Sequence, residues 1–254
     1  MSGSTILHDY LPGVQALDQA ISATFGRGVI DPSTTGNATH VIMSILVSLF
    51  VMLLAALYAA RRKMAADTLI PERTLNARSV VETICEAAFG LMEGIMGREA
   101  ARSFLPLIGT LAFFILFGNL AGLVPGLLPP TEVISTNLVL ALIVFFATHL
   151  YGIKKNGLEH IKHMMGPMRA LSPLVFPIEL ISHFARPLSL TLRLFGNMVG
   201  DHTVLTIFLS FGLLLVPLPV MFLGTIVCVV QTLVFCLLSV VYISMAIEDL
   251  HEHH

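Results

Sequence analysis

Arg193 lies in the run from Ala185 to Met198 (ARPLSLTLRLFGNM), within the most apolar third of the chain. A guanidinium keeps its proton at any ordinary pH. Holding it at bilayer depth costs roughly 2.5–3.5 kcal/mol on insertion scales and about 10–17 in simulations of an isolated helix. Charges carried at that depth serve ion paths, counter-ions or gating. Ser189 and Asn197 stand four residues either side of it, so in a helix all three share one face. A hydroxyl and an amide there can hydrate or orient a guanidinium that has lost its water. His202 is turned about 180° from Arg193 and Asp201 about 80°. One helix could therefore separate two polar environments.

Earlier in the same segment, Glu179 and His183 lie one turn apart. A carboxylate at this depth must be hydrated or paired, and burial moves it toward the range useful for proton relay. In the last apolar run, Gly224, Gln231 and Tyr242 fall within about 40° of one another, a narrow polar or small-residue seam. Gly224 leaves room there for a larger, carboxylate-bearing side chain. Structural roles compete with each of these readings. Arg193 could pair with Glu179 or Asp201, Asp201 and His202 could sit among headgroups, and Gln231 could simply bond a neighbouring helix. His149, His160 and His163 sit at or beyond a span end, where solvation suffices. No nucleophile–base triad or phosphate loop is present, so no catalytic residue is assigned. Cys85, Cys228 and Cys236 form neither a disulfide framework nor a zinc pattern and read as packing residues; no metal or cofactor is implied.

The elements that must position these residues follow from composition. Hydrophobic residues make up 56% of the chain and charged ones 12%, about half the share in a soluble domain. That identifies a membrane protein, and the lack of a basic, aromatic-interleaved cluster excludes nucleic-acid binding. The fold expected is all-α, with about five transmembrane helices of about 20 residues each. They run from about His40 to Ala60, Phe104 to Val124, Asn137 to Ile153, Leu171 to Val216 and Val220 to Ile247. The fourth would reach about 69 Å as one straight helix. It must therefore bend, tilt strongly or re-enter, and Pro173, Pro177 and Pro187 interrupt its first half.

Residues 1–39 read as an extracytoplasmic segment without the pattern of a secretory signal, 40–250 as the membrane domain and 251–254 as a cytoplasmic tail. Eleven of the 14 Lys and Arg lie in two loops, Arg61–Arg102 and Lys154–Arg169. The positive-inside rule puts both loops in the cytoplasm, the N-terminus outside and the C-terminus inside. Within the first loop, Val81, Ile84, Ala88, Leu91 and Ile95 recur at helical spacing, opposite Arg78, Glu82, Glu86 and Glu93. This is an amphipathic helix, expected to pack on a partner or on the chain's own spans.

The Arg193 run, with Pro177–Ser182 (PIELIS) before it, resembles subunit a of the F-type ATP synthase membrane sector. Phe117–Pro125 (FGNLAGLVP), Gln231–Phe235 (QTLVF) and Val241–Glu248 (VYISMAIE) carry the same resemblance, which covers about residues 40 to 250. It implies a stator subunit without an ATP site, in a bacterial inner membrane. Its partners would be a ring of c subunits, the peripheral-stalk b subunits and membrane lipid. Arg193 matches the arginine that attracts the c-ring carboxylate in ionised form and blocks leakage between two offset half-channels. Glu179 and Ser189 match positions of the cytoplasmic half-channel; Asn197, His202 and Gln231 match the outer one. Many members carry Glu or His where this chain has Gly224. Asp201 beside His202 would compensate, since a histidine with a neighbouring carboxylate relays protons near neutral pH. An alternative function from another class is an autonomous ion-coupled transporter using Arg193 as an anion-binding or gating charge. A membrane hydrolase is disfavoured for want of a catalytic constellation.

Overall fold

Apolar runs longer than a bilayer is thick satisfy their backbone groups internally, and helices do so residue by residue. The computed structural model describes residues 39–64, 77–124, 127–157, 172–210 and 217–247. They form α1 (Thr39–Met64), α2 (Ala77–Met96), α3 (Arg98–Ala121), α4 (Ile134–Asn156), α5 (Ser172–Ser210) and α6 (Pro217–Ile247), with a 3-10 turn at Pro130–Glu132. No strand occurs among the described residues. The N-terminal segment, the tail, His160, His163 and much of the basic loops fall outside them.

Among the described residues, four helices are long and apolar enough to cross a membrane: His40–Ala59 in α1, then Arg98–Ala121, Ile134–Asn156 and Pro217–Ile247. Helix α5, at 39 residues, is not among these four; it carries Glu179, Arg186, Arg193 and Asp201. Pro177 and Pro187 lie inside α5 without ending it. Each removes a backbone donor, a loss that membrane helices tolerate where neighbouring groups compensate.

Contacts divide the chain into two compact units. One comprises Met1–Arg78, Phe113–Val133 and Gly196–Val230; the other comprises Ser79–Ala112, Ile134–Phe195 and Gln231–His254. In the first, α1 sets Phe50 edge-on to Phe117 at 5.1 Å. After α3 the chain turns back upon that helix. A Cβ at Gly122 would stand 2.8 Å from Pro129 Cγ, and one at Gly118 would stand 3.3 Å from Pro130 Cγ. Glycine at these two positions lets the proline turn lie against α3. Buried Thr131 donates to Asn119 Oδ1 at 2.7 Å and fixes the register of the turn.

In the second unit, Gly97 takes φ 78° between α2 and α3, a left-handed cap conformation that glycine adopts without a Cβ penalty. Met92, Phe104, Ile108, Val240 and Ile243 form a buried cluster, with Phe89 and Met96 packed against it. Helix α2 thus docks on the chain's own spans, by a stripe different from the one expected. Leu91 and Ile95 remain 46% and 38% exposed while Met92 is buried. The helix is rotated by about one residue, roughly 100°, from the sequence reading. Phe89, Met92 and Met96 offer the cluster far more volume than Ala88 does. Polar ties reinforce the packing: Asn156 Nδ2 donates to the Ala246 carbonyl at 3.2 Å, and Ser244 donates to that of Ile95 at 3.3 Å.

Candidate functional site

Helix α5 faces the second unit with His183, Pro187, Leu190 and Leu194, all buried and spaced three or four residues apart. Arg193 lies about 90° round the helix from the centre of that seam. It is consequently exposed, as are Ser189 and Asn197 one turn to either side. Other sides of the helix carry exposed apolar side chains, Leu188 at 55% and Leu192 at 51%. A permanent cation is thus presented on an exposed polar strip, between Ser189 and Asn197, of an otherwise largely apolar helix. Among the described residues no carboxylate pairs with it. Glu179, one candidate partner, instead places Oε1 3.4 Å from Nε2 of His183.

The polar residues beyond Arg193 belong to the first unit. His202 Nδ1 lies 3.1 Å from Glu132 Oε1, both side chains about three-quarters buried. Asp201 was the expected carboxylate for His202, but the structure supplies Glu132 from the turn after α3. Backbone neighbours on a helix diverge by about 100°, so adjacent side chains seldom meet. Asp201 Oδ2 and Glu132 Oε2 are both buried without a hydrogen-bond partner among the described residues.

Gly224 also differs from the expectation. A Cβ there would stand 2.6 Å from Leu123 Cδ2, and Leu123 is itself buried. The terminal methyl of Leu123 therefore occupies the space beside the glycine and must swing aside before a larger residue fits. Gln231 is buried, and Tyr242 lies beneath the Arg186 guanidinium at 5.1 Å.

Glu132 is the site residue that sequence reading missed. Its signal was available: it is the only Asp, Glu, Lys or Arg between Arg102 and Lys154. It sits in a short turn, where helical periodicity says nothing about direction.

Comparison with known proteins is consistent along nearly the whole chain. The profile of the family described as "ATP synthase A chain" matches residues 41–244. ATP synthase subunit a of Sorangium cellulosum (strain So ce56) is 40% identical over 250 residues, 98% of this chain and 97% of that protein. ATP synthase subunit a of Trichlorobacter lovleyi (strain ATCC BAA-1151 / DSM 17278 / SZ) is 43% identical over 85% of this chain and 90% of its own length. The subunit a of Geobacter sulfurreducens (strain ATCC 51573 / DSM 12127 / PCA) is 44% identical over 72% and 82%, respectively.

Proposed function

We propose that this chain, which belongs to the ATP synthase A chain family, passes protons between two offset half-channels separated by Arg193. As a family member it is a proton-translocating component of the Fo sector and an integral membrane protein, not the catalytic part of the synthase. In the proposed reading it is the stator beside a c-subunit ring, held by the peripheral-stalk b subunits. Helix α5 makes a fifth crossing, with the N-terminus outside and the C-terminus in the cytoplasm. Glu179 and Ser189 serve the cytoplasmic half-channel; Asn197, His202 and Gln231 serve the outer one, with Glu132 added to them. Asp201, no longer the partner of His202, stays a lesser member of the outer group.

The observation that carries this reading is the exposed guanidinium of Arg193, set between Ser189 and Asn197, with no carboxylate pairing it among the described residues. A fixed cation favours the ionised form of a carboxylate that comes near it, and so favours proton release. Each charge crossing 100 mV then supplies about 2.3 kcal/mol, which rotation can collect. Ser189 and Asn197 offer polar contacts on either side of the cation without neutralising it.

The test is Arg193→Ala in the assembled synthase. ATP-driven pumping in inverted vesicles and ion-driven ATP synthesis should both be lost while the subunit composition is unchanged. Normal coupled pumping by that variant would overturn the reading.

A further inference from the structure

A second cluster of titratable groups lies in the Ser79–Ala112, Ile134–Phe195 and Gln231–His254 unit, away from Arg193 along α5. His183 is buried, and its ring centroid stands 5.1 Å from that of His149 on α4. Its Nε2 is 3.4 Å from Glu179 Oε1, and Glu179 is itself 38% exposed. The two histidines open on a small cleft between α4, α5 and α6, also lined by Thr148, Arg186 and Tyr242. The cleft holds about 10 Å³ of water-sized space, enough for about one water molecule. Phe145 closes one side, edge-on to His149 at 4.4 Å and stacked with Phe184 at 5.8 Å.

This arrangement differs from a packing contact between two aromatic helices. Two imidazoles and a carboxylate, on two helices, lie in succession from a partly exposed group to a buried one and on to a half-buried one. Each member can bind and release a proton. Among the described residues the three do not form a group set to hold a metal ion. Arg186, the permanent charge in the cleft, is drawn toward the Tyr242 ring, 5.1 Å from its centroid.

We propose that Glu179, His183 and His149 form a proton relay, in which His183 carries protons between the Glu179 carboxyl and the cleft beside His149. This inference rests on the ion-conducting reading of the chain and extends it to two histidines outside the Arg193 and His202 groups. Protonated Glu179 gives its proton to His183 Nε2 and is left as carboxylate. The imidazolium so formed gives its other ring proton to His149, directly or through one water, and returns to neutral. One proton is moved, and no bond between heavy atoms forms or breaks. His149 lies one to two turns from Lys154 and Lys155, so the relay opens on the side of the membrane where those lysines stand. The charged and titratable groups facing His183 are then Glu179 and Arg186 on its own helix, His149 on α4 and Tyr242 on α6.

The test uses the complete synthase in proteoliposomes, with ATP-driven proton pumping followed against pH. His183→Gln keeps a hydrogen-bonding side chain that does not titrate. It should assemble, pump roughly tenfold or more below the parent, and lose the dependence on pH that imidazole confers. His183→Ala should recover part of its rate with added imidazole, which a purely structural role would not allow. His149→Gln should show the same slowing. Parent-like pumping by His183→Gln at every pH would overturn the relay, and so would parent-like pumping by His149→Gln. If His183→Ala fails to assemble, the glutamine variant decides. Arg193→Ala is measured alongside: normal pumping there would sink the underlying reading, whereas its loss with unaffected histidine variants would sink only the relay.

Discussion

His202 Nδ1 stands 3.1 Å from Glu132 Oε1 although 70 residues of chain separate them. The pair joins a helix to a turn, and neither side chain has another acid or base at that distance among the described ion pairs. If the two act as one proton-handling unit, Glu132→Gln and His202→Asn should each slow ATP-driven pumping roughly tenfold or more. The double variant should lose little further, because coupled residues are non-additive. Pumping rates in inverted vesicles give the cycle. Two losses that simply multiply would show that the residues act independently.

The position of Glu132 depends on the glycines beneath its turn. Gly122→Ala puts a methyl 2.8 Å from Pro129 Cγ and should displace the turn, at about 1–3 kcal/mol. Pumping should then fall as it does in Glu132→Gln, with the complex still assembled. Gly118→Ala, whose nearest neighbour is Pro130 Cγ at 3.3 Å, should be milder. Equal pumping by the parent and Gly122→Ala would mean that the turn holds Glu132 without this seat.

At Gly224 a glutamate must displace Leu123, whose Cδ2 lies 2.6 Å from the added Cβ. Gly224→Glu alone should therefore reduce the yield of assembled synthase modestly, because the obstructing methyl ends a flexible side chain. Gly224→Glu combined with Leu123→Ala should restore much of it. Quantifying subunit a in purified complexes distinguishes the two, and full yield from the single variant would show that Leu123 swings aside without cost.

On α2, burial first and the Glu82 carboxylate second hold the Cys85 thiol above its ordinary range. A raised value means less thiolate at any given pH, and thiolate is the reacting form. With Cys228 and Cys236 changed to serine, maleimide labelling of Cys85 should be slow at neutral pH and accelerate as pH rises. Glu82→Gln removes the smaller cause and should quicken it modestly. Neutral-pH labelling as fast as that of an exposed cysteine would refute this environment.

The proposed orientation can be tested with single cysteines. One at position 128 should react with an impermeant reagent only from outside the cell, and one at position 160 only from the cytoplasm. The basis is the gathering of eleven of the 14 Lys and Arg into two loops. Outside labelling at position 160 would invert the chain and exchange the two half-channels.

Much of this protein was legible without coordinates. Apolar runs matched to bilayer thickness determine the membrane helices, since backbone polar groups in lipid must bond within their own segment. The spacing of Ser189, Arg193 and Asn197 determines a shared helical face, because 3.6 residues per turn is a local property. What local periodicity cannot supply is which distant element meets a given face. Only the tertiary structure decided that α2 docks by Met92 rather than Leu91, where larger side chains fill the cluster better. Only it decided that Leu123 occupies the space beside Gly224. The pairing of His202 with Glu132 was hidden for the same reason. A turn carries no periodic signal, and its direction was set by two glycines, two prolines and the Thr131–Asn119 bond that seat it on α3.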